Sequence, residues 1–111
     1  MKKAILLTFA ILFTALLVKA DPPKKINLTV KNNKLTADIV HPVKNPGDHY
    51  IDQVIITING KDYKTLKYTK QTSDKGETVV IDIPATKAGD VIEVKARCNE
   101  FGNKSNKLKI K

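Results

Sequence analysis

Residues Val91 to Cys98, VIEVKARC, alternate without interruption: Ile92, Val94, Ala96 and Cys98 share one side, and Glu93, Lys95 and Arg97 share the other. Successive side chains of a β-strand point to opposite faces, so this stretch predicts a strand buried on one face and wet on the other. The turn Lys87-Ala88-Gly89-Asp90 leads into it. The single cysteine of the 111-residue chain thus falls in phase with core positions, at the inward end of a strand.

The same period recurs on both sides. Ile26, Leu28 and Val30 form one apolar row, and Leu35, Ala37 and Ile39 form another after an Asn32-Asn33 turn. Val54, Ile56 and Ile58 end at Asn59-Gly60, which supplies the positive φ angles of a two-residue hairpin. Lys61–Tyr68 is the expected return strand, and Asp74-Lys75-Gly76 breaks the chain. Val79, Ile81 and Ile83 follow within Glu77–Ile83, and a last strand, Lys104–Ile110, carries Leu108 and Ile110. No segment after residue 20 keeps a helical period. Seven short, half-polar strands separated by turns predict an all-β, immunoglobulin-like β-sandwich of two packed antiparallel sheets. Lysines along the strands discourage edge-to-edge pairing.

Residues 1–20, MKKAILLTFAILFTALLVKA, have a different grammar: a basic start at Lys2 and Lys3, an apolar run from Ala4 to Val18, and Val18-Lys19-Ala20 before Asp21. This predicts a secretory signal peptide cleaved after Ala20. The apolar run is shorter than the roughly 20 residues of a membrane span, so no stable anchor is expected after cleavage. The mature chain, 21–111, is long enough for one small domain, destined for the periplasm or the exterior. Its formal charge falls from +9 to +6 with the loss of Lys2, Lys3 and Lys19. A basic surface favours anionic partners in general. The lysines are dispersed with little aromatic interleaving, so nucleic acid is not an expected partner.

One cysteine cannot form an internal disulfide, which leaves a buried filler of the core, a free thiol or a metal ligand. The two histidines bracket one loop, His41-Pro-Val-Lys-Asn-Pro-Gly-Asp-His49. His41 is in phase with Leu35, Ala37 and Ile39, at the core edge where that strand ends. Pro42, Pro46 and Gly47 hold the loop on an irregular path that can bring the two imidazoles together. His41, His49 and Cys98 are therefore candidate ligands for iron, copper or zinc, since imidazole and thiolate are borderline-to-soft donors. A nucleophilic Cys98–His pair requires access to the thiol and a base within hydrogen-bond reach, and the sequence shows neither.

HPVKNPGDHYIDQVIITINGK (41–61) followed by VIEVKARCNEFG (91–102) resembles the iron domain of the superoxide reductases, the desulfoferrodoxin and neelaredoxin family, over residues 34–102. The resemblance implies an immunoglobulin-like sandwich that holds ferrous iron through four histidines and a cysteinate and reduces superoxide to hydrogen peroxide. Carried onto this chain, it assigns His41, His49 and Cys98 as ligands. Phe101 stands where a further ligand histidine is implied, and Asp21–Lys25 holds no counterpart of the first one. The implied partners are a small anion such as superoxide, drawn by the basic surface with Lys24 or Lys25 contributing, and a periplasmic redox protein. IPATKAGDVIEVKARCNEFGNKS (83–105) together with the His-Pro loop is also similar to SoxZ, the sandwich subunit that pairs with the sulfur carrier SoxY. That resemblance implies a noncatalytic, metal-free module for a periplasmic carrier protein.

Overall fold

The computed structural model describes residues 21–111; the expected signal peptide, residues 1–20, lies outside the described residues. Seven strands follow one another: β1 (Lys25–Lys31), β2 (Lys34–Val40), β3 (Ile51–Ile58), β4 (Lys61–Lys67), β5 (Gly76–Asp82), β6 (Val91–Cys98) and β7 (Asn103–Lys109). They form two antiparallel sheets, β1-β2-β5 and β4-β3-β6-β7. This is the expected all-β sandwich, with its fourth strand returning beside β3 after the Asn59-Gly60 turn. Among the described residues no helix is long and apolar enough to cross a membrane.

The alternation read from sequence sets the inner faces. Leu35, Ala37 and Ile39 of β2 and Ile92, Val94 and Ala96 of β6 are all fully buried, and Val54 and Ile56 of β3 pack with them. Burying an aliphatic side chain of this size contributes about 1.5–3 kcal/mol. Both hairpin turns are built on left-handed residues: Asn32 and Asn33 between β1 and β2, Asn59 and Gly60 between β3 and β4. Paired positive φ values match the twist of the flanking strands. Ile58, expected on the inner face, is only half-buried because the hairpin turn follows at once.

β3 begins three residues before the expected Val54. Ile51 lies opposite Cys98 and Gln53 opposite Arg97, so Asp52 is an extra residue, a β-bulge. The bulge resets the phase and turns both Ile51 and Val54 inward, which simple alternation would forbid. It also aims Asp52 at Arg97, whose guanidinium donates to both carboxylate oxygens at 3.0 and 3.1 Å.

The start of β5 holds the end of β2 in place. Lys75 O accepts from His41 N–H at 2.9 Å. A Cβ on Gly76 would stand 1.9 Å from the Ile39 carbonyl oxygen and 3.1 Å from His41 N. Gly76→Ala is therefore expected to cost about 1–3 kcal/mol through overpacking against backbone, read as a lower urea midpoint.

Glu77, next along β5 and buried, accepts hydrogen bonds from the Thr72 hydroxyl and, at 3.2 Å, from the Thr72 N–H. Burial raises its carboxyl above the ordinary value of 4.5, with the amides of Thr72 and Thr78 opposing the rise. The folded chain thus binds a proton more readily than the unfolded one. Stability from this group is greatest at or below 4.5 and is lost as pH rises through the folded value. Glu77→Gln, which carries no charge to desolvate, should gain melting temperature over the native chain more at pH 7 than at pH 4.5.

Candidate metal centre

At one end of the sandwich the sheets converge on His41, His49 and Cys98. His41 follows β2, Cys98 ends β6, and the loop before β3 supplies His49. Their ligand atoms all lie within 4.8 Å of one another. The imidazoles meet edge to face, centroids 4.7 Å apart. His41 is fully buried and Cys98 nearly so.

Two residues that the sequence did not single out hold this arrangement. The Gln71 amide donates to the carbonyls of His41 (2.8 Å) and Ser73 (3.0 Å). Its Oε1 lies 2.7 Å from His41 Nδ1 and accepts from Ile51 N–H at 3.1 Å. With its NH2 spent on two carbonyls, Gln71 can only accept from the ring, so Nδ1 of His41 carries a proton. Asn99 clamps the other histidine: Tyr50 N–H donates to its Oδ1, its Nδ2 donates to Asp48 O, and its own N–H donates to Tyr50 O. His49 is thereby gripped on both flanks by the residue after Cys98. Nothing in the sequence marked Gln71, a glutamine in a polar turn; Asn99 was marked only by its place beside the cysteine.

The remaining ring nitrogen of His41 tests whether the site suits a metal. Nε2 lies 3.0 Å from the backbone carbonyl oxygen of Asp21. Because Nδ1 holds the proton of a neutral ring, Nε2 presents a lone pair to another acceptor. That arrangement calls for a cation, either a second ring proton or a metal ion. On the other side His49 Nε2 is 3.1 Å from Cys98 Sγ, and Glu100 N–H also points to the sulfur at 3.4 Å. Two ligands at a right angle on one ion, with bonds of about 2.1 Å to nitrogen and about 2.3 Å to sulfur, stand about 3.1 Å apart. The His49–Cys98 pair has that spacing, which is also the spacing of a hydrogen bond. The Gln71 contact is the outer partner that metal-bound histidines characteristically have.

A groove of about 490 Å³ opens beside the cluster, lined by Asp21, Lys44, His49 and Glu100 among others. Two carboxylates face one ammonium here, the reverse of the chain's overall balance, so the groove favours cations locally. His49 also stands at the distance a catalytic base would need from Cys98, but the thiol is only 4% exposed, which withholds it from a substrate. Phe101 is 62% exposed and lies outside the cluster.

No family model and no curated protein sequence matches the chain. Among solved structures it superposes on the superoxide reductase (neelaredoxin) from Ignicoccus hospitalis, with a TM-score of 0.52 and 14% identity over 80% of each chain. The fold is superoxide-reductase-like. A second structure of the Ignicoccus superoxide reductase gives a TM-score of 0.48 at 16% identity, covering 82% of this chain and 81% of that one. The fold likeness and the His/His/Cys cluster are two separate observations.

Proposed function

We propose that this is an exported metal-binding protein on a superoxide-reductase-type sandwich, holding one ferrous ion through His41, His49 and Cys98. The observation that carries the reading is the convergence of His41, His49 and Cys98, whose ligand atoms all lie within 4.8 Å of one another, with the Asp21 carbonyl 3.0 Å from His41 Nε2. Imidazole, thiolate and carbonyl oxygen together suit iron, and the fold likeness favours iron over copper or zinc. When bound, iron supplies one-electron chemistry. The chain's own residues do the rest: Gln71 fixes the His41 tautomer, Glu100 N–H donates to the sulfur, and the packed sheets exclude water from the thiolate.

Three donors and an acidic groove fit ion holding better than capture of an anion, so superoxide consumption by the loaded protein is expected to be slow. Export with cleavage after Ala20 belongs to the same reading. The test is anaerobic reconstitution with ferrous iron, measuring bound iron and, after oxidation, the thiolate-to-iron absorption band. One iron per chain with that band supports the reading. Substoichiometric iron and no band overturn it, and specific capture of a periplasmic carrier protein by the metal-free chain would then favour the SoxZ-like alternative.

A further inference from the structure

Asp21 is held at the centre by its own carbonyl and by the segment that follows it. Its carbonyl oxygen meets His41 Nε2, and the residue lines the groove together with His49 and Glu100. The segment behind it is strapped down. Pro22 sits where a Cβ on Gly102 would reach, 2.6 Å from Pro22 Cβ, so only glycine at 102 lets the strap approach. Pro23 is buried, and Lys24 N–H donates to Val40 O at 2.8 Å, immediately before His41. Asp21 is also the residue that cleavage after Ala20 would leave first in the chain.

Resting on the metal-binding reading, we infer that removal of the signal peptide makes a ligand: the new α-amine of Asp21, with its own carbonyl oxygen, completes the site of His41, His49 and Cys98. In the precursor this nitrogen is a peptide amide, whose lone pair is delocalised into the carbonyl and does not bind a cation. Cleavage converts it to an amine with a free lone pair. The amine and carbonyl of one residue can close on one ion as a five-membered chelate, and the strap already holds that carbonyl at the histidine. Two oxygen- or nitrogen-donor positions are thereby added to a three-donor set. The amine joins the site only after cleavage, so the precursor would hold iron at least tenfold more weakly than the processed chain.

The experiment uses the chain exported and processed by its host, with mass spectrometry confirming that it starts at Asp21. It is compared with a variant carrying Gly-Ser inserted between Ala20 and Asp21, which moves the amine two residues away and leaves the strap intact, and with Asp21→Asn. Ferrous iron alone is the probe, read as dissociation constant and as the position of the thiolate-to-iron band. Melting temperature checks the fold. The inference expects the insertion to weaken iron at least tenfold and shift the band, with Asp21→Asn close to native. Equal affinity and an unchanged band in the insertion variant overturn the inference while leaving the metal reading standing. So does an Asp21→Asn loss as large as that of the insertion, which would make the carboxylate the ligand, or a processed chain that starts elsewhere. No iron bound by the native terminus overturns both.

Discussion

Cys98→Ser is expected to remove the thiolate-to-iron band completely and weaken ferrous-iron binding by more than about a hundredfold, while the sandwich still folds. Changing an outer partner of a metal ligand already costs about 10–100-fold, and here the anionic ligand itself is lost. A serine hydroxyl stays protonated at neutral pH and is a poor donor to a borderline ion. The structural cost is small because Cys98 sits at the end of β6, with Ile51 as its opposite residue, and Ser differs by one atom. About 1 kcal/mol is the usual scale for such a change. Iron titration followed by absorption, beside thermal melts of both apo forms, separates the two effects. Equal iron affinity in the two proteins would show that the sulfur is core filler.

Gln71→Leu should be the most destabilising single change, costing about 3–5 kcal/mol, against total stabilities of about 5–15 kcal/mol for small domains. One amide satisfies four buried or half-buried partners: the His41 ring, the His41 carbonyl, Ile51 N–H and Ser73 O. Leucine fills the space and leaves each without its bond, at about 1–3 kcal/mol for a buried group. Gln71→Glu would not rescue it, because a carboxylate oxygen would then face the two carbonyls that the NH2 now serves. Urea unfolding should show a lower midpoint at unchanged slope. Surviving protein should bind iron more weakly, since the His41 tautomer is no longer imposed.

Period-two patterning made the sheets legible, and with them the inward aim of His41 and Cys98, because burial on one face leaves a mark on every second residue. The hairpin at Asn59-Gly60 was equally readable, since few residues tolerate its backbone. What escaped has a common cause. The Asp52 bulge breaks the period within two residues, and inserting one residue leaves no compositional trace. Gln71 and Asp21 act on His41 from 30 and 20 residues away, through contacts that only the folded chain creates. The resemblance that pointed to His41, His49 and Cys98 also pointed to Phe101, which turned out to face solvent. The resemblance directed attention to missing histidines; the fold instead presents a backbone carbonyl.

His41 directly follows the second strand and Cys98 ends the sixth, and those two strands lie in different sheets. In antibody domains the corresponding pair of strands is joined by a disulfide across the sandwich. A domain with one cysteine has no such rivet, and an ion shared by His41 and Cys98 would be its reversible equivalent. Metal release and separation of the sheets then become linked equilibria: iron at a hundred times its dissociation constant would add about 2.7 kcal/mol to stability. A chelator should accordingly lower the melting temperature of the loaded protein and leave that of Cys98→Ser unmoved, making metal supply a determinant of how long the protein stays folded.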